Sequence, residues 1–322
     1  GLINIYLVFF GLCALICAAN AKFFDLQSRH WLLLCGVFIG LTASIKWNGL
    51  GYLLTILSFM AFVIAIRAID AFRLNHPKKA VELSHDLVGQ NNAFSWEYVL
   101  YFLIIPLAVY SLIWIPDLRF NTEYDFLEKH QQLLGYHQIM VTEDEHPYCS
   151  KWYSWPFMIR PIGYYFNSYE VVGDLGHKMT MFQDIHLLPN PPLYWFSTVA
   201  ILLMGLEWLR LVWHWIREKK VSNKFFFFTF ILCGFCANFL PWAWVSRCAF
   251  LYSYQPASIF AFIALAWYLA HLMSAESIKY RILSWGILIL VIAAFFYWLP
   301  IQTGIPLERD LFFQRIWFRS WS

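Results

Sequence analysis

The chain has 322 residues, 60% hydrophobic and 13% charged, with 17 Trp, 18 Tyr and 31 Phe and a formal net charge of +3. Soluble domains carry about 25% charged residues, so this composition excludes an ordinary soluble globule and points to a polytopic membrane protein. The small positive charge sits in short loops and not in a basic, Gly-interleaved tract, so no nucleic-acid partner is expected and the immediate partners are membrane lipids.

A membrane-crossing helix needs about 20 mainly apolar residues. In chain order about eight stretches qualify: 1–20, 31–45, 49–66, 97–115, 193–213, 225–245, 248–273 and 282–300, the second being short. With no repeat period and no low-complexity linker, one membrane domain over residues 1–322 is the simplest organisation, an all-α polytopic membrane protein. Arg67, Arg73, Lys78 and Lys79 fall in one loop, Arg210, Arg217, Lys219, Lys220 and Lys224 cluster around another, and Lys279 and Arg281 lie in a third. If every stretch crosses, these three loops share one side, which the positive-inside rule makes cytoplasmic. Lys46, the segment 116–192, Arg247 and the C-terminal tail then face outward, as does Gly1. With no initiator Met and no signal peptide, an N-terminal part is expected to precede Gly1.

The cytoplasmic loop 67–96 reads as a connector with a short surface helix around 80–88. The outer loop 116–192 is long for a loop without a job. It is also aromatic: Trp152, Tyr153, Trp155, Phe157, Tyr164, Tyr165, Phe166 and Tyr169 suit either headgroup-level anchoring or a cover over a site, with Arg160 directed toward it. Only Cys149 of the seven cysteines lies in that loop, so no disulfide framework is expected there.

Lys46 interrupts a nearly unbroken apolar run and is followed by Trp47, Asn48 and Gly49. An ammonium at membrane depth costs roughly 2.5 to 3.5 kcal/mol on insertion scales, so it belongs at an interface or a polar cavity. Lys46 and Arg247, both at outer ends of apolar stretches, can hold a lipid-linked phosphate, the arginine as a planar fork and the lysine as a point charge. Cations fixed where negative charge develops lower the barrier to phosphate departure. The plainer alternative for each is snorkelling to headgroups.

Other features carry less. The run Glu143, Asp144, Glu145, His146 reads as a solvated loop, while Asp117 lies closer to the membrane as a minor candidate base. His130, His137, His146 and Cys149 lack the tight spacing of a zinc site, so no metal is expected. Cys233 and Cys236 match C-x-x-C inside an apolar stretch and read as helix core. Gly36 and Gly40 form a G-x-x-x-G pair that lets helices approach closely.

Several segments resemble the protein O-mannosyltransferase family, phospholipid carrier-dependent glycosyltransferases of the GT-C superfamily. Gly40-Leu-Thr-Ala-Ser-Ile-Lys46-Trp47-Asn-Gly49 is similar to the family's Lys-Trp-x-Gly junction between spans. Trp155-Pro-Phe-Met-Ile-Arg160-Pro161, with Tyr164 and Tyr165, resembles its outer-loop tryptophan and Arg-Pro element. Asn190-Pro191 followed by Tyr194 and Trp195 resembles its Asn-Pro approach to the next span, and Leu240-Pro241-Trp242, Arg247, Phe250, Tyr252, Tyr254 and Pro256 its Leu-Pro-Trp, Arg, Phe, Tyr-His-Tyr-x-Pro stretch. Ser253 departs from that pattern, where the family commonly has histidine.

The resemblance implies a GT-C-like helical bundle and inverting transfer of mannose from a polyprenyl or dolichyl phosphate to Ser/Thr hydroxyls of an acceptor protein on the outer face. It implies no cofactor beyond that lipid-linked donor. It also implies donor and lipid-phosphate contacts at Lys46, Trp47, Arg247 and Tyr254, with a donor or acceptor surface at Trp152, Trp155, Arg160 and Tyr164. The family's acidic Asp-Glu motif lies in its first outer loop, before anything present here. The chain would correspond to the fourth span onward, and the catalytic base, a carboxylate that takes the acceptor's proton, is expected upstream of Gly1. The 116–192 loop is too short for the β-trefoil (MIR) domain of eukaryotic members, which favours a bacterial plasma-membrane member over one of the endoplasmic reticulum. Another GT-C transferase with a different sugar or a lipid acceptor shares the general architecture. A transporter of a lipid-linked substrate would instead predict paired repeats and ionisable residues at the midplane. Oligomeric state is not legible.

Overall fold

The computed structural model describes residues 3–22, 28–74, 95–138, 146–172, 177–218 and 221–321. The surface helix expected around 80–88, the cations Lys78, Lys79, Lys219 and Lys220, the acidic run Glu143, Asp144 and Glu145, and the side chain of His137 lie outside the described residues.

The helices are α1 (Ile3–Asn20), α2 (Arg29–Ile45), α3 (Leu50–Leu74), α4 (Glu97–Phe120), α5 (Phe126–Gln138), α6 (Pro191–Glu218), α7 (Asn223–Phe239), α8 (Gln255–Met273), α9 (Ile278–Thr303) and α10 (Arg309–Phe313). Three strands, β1 (Ile162–Val172), β2 (Lys178–Leu187) and β3 (Leu307–Glu308), complete the order. Among the described residues seven helices are long and apolar enough to cross a membrane, and α2, with 17 residues, is a shorter apolar helix. They fall on the eight stretches read from hydropathy, and the chain is a helical polytopic membrane protein.

The chain forms two compact units. The first comprises Gly1–Ile139, Leu203–Trp244 and Gln255–Phe260. Here α1 packs along α2, α2 against α4, and α3 against α7. The G-x-x-x-G pair makes the α2–α4 approach possible. A Cβ at Gly36 would run into the Tyr101 carbonyl oxygen, and one at Gly40 would meet the Pro106 carbonyl oxygen at 2.8 Å. Both obstacles are backbone and cannot swing aside, so Gly36→Val is expected to destabilise the protein by about 1–3 kcal/mol, the usual cost of overpacking. Thermal unfolding in detergent measures this; an unchanged midpoint would refute the close α2–α4 contact.

Pro106 also shapes α4. A proline has no N–H and crowds the carbonyl four residues back, and the turn just before it widens to a π-type turn over Leu100–Ile104, with Ile105 N–H bonding Leu100 O. Near the basic end of α3, the Trp215 indole donates to Asp70 at 2.9 Å and Arg73 lies 4.9 Å from the Trp215 ring centroid. That end of α3 is therefore on the same side as the basic end of α6, as the alternation of loop charge requires.

The second unit comprises Met140–Leu202, Val245–Tyr254 and Ala261–Ser322. The sequence reading of its outer segment as loop is corrected here. β1 and β2 form an antiparallel hairpin running from Ile162 opposite Leu187 to Val172 opposite Lys178, with a register irregularity between Gly163 and Tyr165. β3 adds to β2 through Phe182 and Leu307, which leaves β1 as an edge. α9 packs against β2 and ends at Gly304, whose φ of 76° suits a glycine terminating a helix.

The reading of segment 116–192 as free of a disulfide framework misses a bridge that leaves the segment. Cys149 bonds to Cys248, with their Cα atoms 5.3 Å apart, and Ser150 N–H donates to Ala249 O at 2.9 Å beside the bridge. Cys248 falls at the start of the apolar stretch 248–273, but the regular helix begins only at Gln255, so the cysteine lies in the non-helical approach to it.

Candidate functional site

Lys46 occupies a corner. α2 ends at Ile45, Lys46 is fully extended (φ −167°, ψ 141°), and the chain turns at once into a 3-10 turn over Trp47–Gly49. The corner is closed by Lys46 N–H to Thr42 O at 3.3 Å and Gly49 N–H to Lys46 O at 2.8 Å. Glycine is required at its inner side, since a Cβ at Gly49 would lie 2.6 Å from Thr42 O. The Lys-Trp-x-Gly sequence is thus a rigid bend between two apolar helices, holding a half-buried lysine at a fixed place.

Trp47 is tied down by a relay. Its indole donates to the Tyr110 hydroxyl at 2.9 Å, and that hydroxyl lies 2.7 Å from His130 Nε2. His130 Nδ1 lies 2.6 Å from Phe126 O. A carbonyl only accepts, so Nδ1 carries the proton, Nε2 accepts from Tyr110, and every group in the chain is satisfied. α5, which carries His130, starts with a reciprocal cap: Glu128 N–H donates to Asp125 Oδ1 at 2.8 Å and Asp125 N–H to Glu128 Oε2 at 2.9 Å. Asp117, read as a minor candidate base, is instead paired with buried Lys129 at 2.6 Å, and Lys129 also donates to Asn121 O at 2.9 Å. Tyr110 and Lys129 were not singled out from sequence, because their roles depend on a helix pairing that spacing does not reveal.

In the second unit the disulfide fixes the chain next to Arg247, whose guanidinium donates to Cys248 O at 3.3 Å. Asn190 caps α6 by accepting from Leu193 N–H at 3.1 Å and donates to Val291 O at 2.8 Å, which gives the Asn-Pro element a structural role. Two of the expected contact residues, Trp155 and Tyr254, are buried, Trp155 with its indole donating to Ser150 Oγ at 2.9 Å and Tyr254 edge-on to Tyr194. Trp152 is half-buried and sits edge-on to Tyr153.

Arg160 and Tyr164 belong to one locality. Arg160 Nε donates to Pro147 O at 2.7 Å and its guanidinium lies 6.0 Å from the Tyr148 ring centroid. Tyr148 and Tyr164 both line a cleft of about 470 Å³, together with Phe166, Phe182, Phe312 and Trp321. Partial burial raises the Tyr164 phenol above its ordinary value and keeps it a neutral hydroxyl. Sequence reasoning missed the polar members of this cleft, Asp184 and His186. Their alternation with Ile185 along β2 is the strand signal that would have placed them on one face. Among the described residues no group of three or more His, Cys, Asp or Glu side chains is placed to hold a metal ion.

Two family models match the chain in order. Residues 2–119 match dolichyl-phosphate-mannose-protein mannosyltransferase, and residues 122–321 match the C-terminal four TMM region of protein-O-mannosyltransferase. Among curated relatives, the polyprenol-phosphate-mannose–protein mannosyltransferase of Mycolicibacterium smegmatis is 24% identical over 91% of this chain and 58% of its own length. That of Mycobacterium tuberculosis is 21% identical over the same shares. Dolichyl-phosphate-mannose–protein mannosyltransferase 1 of Saccharomyces cerevisiae is 26% identical over 61% of this chain and 24% of its own length. The chain thus spans about 58% of the length of the bacterial relatives it matches. A solved structure of the S. cerevisiae protein O-mannosyltransferase Pmt1-Pmt2 complex bound to the sugar donor aligns with a TM-score of 0.49 and 23% identity, over 61% of this chain and 26% of the other. Since the two family models together cover nearly every residue from 2 to 321, the chain belongs to the protein O-mannosyltransferase family.

Proposed function

We propose that this chain is part of a membrane enzyme that transfers mannose from a polyprenyl phosphate to Ser/Thr hydroxyls of proteins on the outer face of a bacterial plasma membrane. The observation that carries this reading is the ordered match of the two family models along one chain. The disulfide supports the outward assignment of the 140–202 segment, because such bridges persist in oxidising compartments. The mycobacterial relatives support the bacterial setting.

In this reading the acceptor oxygen attacks the sugar C1, the bond from C1 to the phosphate oxygen breaks, and the lipid phosphate leaves with its electron pair. Lys46 is the proposed cation for that phosphate, held at its corner by the Trp47 relay; Arg247, in the second unit, is proposed separately as a phosphate-binding cation. Arg160 and Tyr164 are proposed as part of the donor or acceptor surface. The proton of the acceptor hydroxyl needs a carboxylate that none of these residues supplies.

The test uses the complete gene product in membranes with labelled polyprenyl phosphate mannose and a Ser/Thr-rich peptide. Label on the peptide is the expected result. Label passed only to a lipid, or substrate moved across the bilayer with no covalent transfer, would overturn it in favour of another GT-C transferase or a transporter.

A further inference from the structure

The cleft beside the β-hairpin contains a polar pair that the mannosyl-transfer reading does not use. Asp184 and His186 lie two residues apart on β2, both at least nine-tenths buried, with His186 Nδ1 3.2 Å from Asp184 Oδ2. The carboxylate accepts, so Nδ1 is the donor, and in the neutral imidazole Nε2 is then left with a lone pair. That Nε2 is buried and has no hydrogen-bond partner among the described residues. A buried acceptor left unsatisfied costs about 1–3 kcal/mol; His186 lines the cleft, and a turn of its ring would bring Nε2 to a donor held there.

The rest of the cleft is aromatic and open. Tyr164 is 49% and Phe166 57% exposed, although both lie on a hairpin whose partner strand buries Asp184 and His186. The indole N–H of Trp321 is already committed to Met158 O at 2.8 Å, so this residue offers only its ring to the cleft. Glycine keeps the floor clear: a Cβ at Gly163 would lie 2.6 Å from the Tyr148 hydroxyl oxygen and 3.7 Å from the His186 ring. At about 470 Å³ the space is within the usual range of small-molecule sites, about 300–1,000 Å³, and it has their usual build of apolar walls with a few convergent polar groups.

The polar groups decide the ligand class. A carboxylate and an imidazole lone pair both accept, so the ligand must present O–H or N–H donors on a body with apolar faces. Lipid tails have no donors, and a proline-rich peptide presents mainly carbonyl acceptors. A pyranose ring has C–H faces that lie flat on aromatic rings and a rim of hydroxyl donors. We propose that this cleft binds a neutral pyranose, its hydroxyls donating to His186 Nε2 and Asp184 and its faces resting on Tyr164 and the neighbouring rings. Among the described residues no lysine or arginine lines the cleft, so it takes the sugar ring without a phosphate, and it shares Tyr164 with the donor or acceptor surface proposed above.

Saturation-transfer NMR on the full chain in nanodiscs, titrated with methyl α-mannopyranoside, tests this. Saturable transfer is expected for the wild-type protein, weakened at least tenfold in Tyr164→Ala, which alters an exposed ring, and in His186→Phe, which keeps a ring and removes the acceptor. No saturable transfer, equal transfer in both variants, or equal transfer to cyclohexanol would each overturn the proposal, the last by showing simple aromatic partitioning. Preference for a proline-rich peptide over the pyranoside would overturn it in favour of a peptide groove. Mannosyl transfer is not read in this experiment, so a negative result leaves the transferase reading standing, and an inactive enzyme that still binds the pyranoside fails only that reading.

Discussion

Lys46→Ala is expected to lower mannosyl turnover by about 100-fold while leaving the fold intact, the magnitude typical of removing one preorganised group that stabilises developing charge. Stability should change only modestly, because backbone hydrogen bonds and Gly49 hold the corner. The combination is diagnostic. A snorkelling lysine would give the stability change without the rate loss, whereas a collapsed Trp47–Gly49 corner would lose both. Lys46→Arg keeps the charge but changes its shape and should retain part of the activity. Rates from the complete protein, alongside its unfolding midpoint, separate these outcomes; near-wild-type turnover in Lys46→Ala returns the residue to headgroup contact.

Cys149→Ser or Cys248→Ser is expected to loosen the segment around Arg247 and the 3-10 turn carrying Trp155. The bridge closes a loop with a sequence separation of 99, for which a chain-entropy treatment gives more than 4 kcal/mol. The cost here should be nearer about 2 kcal/mol, the low end for native disulfides. The enclosed helices α6 and α7 remain inserted when the outer segment unfolds, so less freedom is gained. Limited proteolysis in nanodiscs should show earlier cleavage between residues 146 and 190 in either variant, and reducing agent should reproduce this in the wild type. Equal protease resistance with and without the bridge would show that packing alone fixes the segment.

The spans were legible because each is a continuous apolar run, and a helix in lipid must satisfy its own backbone whatever its neighbours do. The Gly36 and Gly40 packing was legible for a similar reason: small residues at that spacing have few other uses in a membrane helix. The hairpin was not read, although its two runs are rich in aromatic and β-branched residues and flank Gly173-Asp-Leu-Gly176. Aromatic residues on both faces of β1 hid the alternation and suggested a surface belt instead. The pairing of Cys149 with Cys248 and the relay from Trp47 to His130 join residues distant in sequence, which one sequence cannot pair. Tyr254 and Trp155 stand out in the sequence pattern, but the pattern does not say that both are buried.

One consequence of α2 concerns bilayer thickness. Its 17 residues rise about 1.5 Å each, so it reaches only ~25 Å, less than the ~30 Å hydrocarbon core, and any tilt shortens that span further. Crossing with such a helix requires the leaflets to dimple locally or the headgroups to dip toward its end. At its C-terminal end stands Lys46. The mismatch would therefore draw the phosphate layer inward at the ammonium, so that a long-chain lipid carrier would meet the lysine without lifting its phosphate out of the membrane surface.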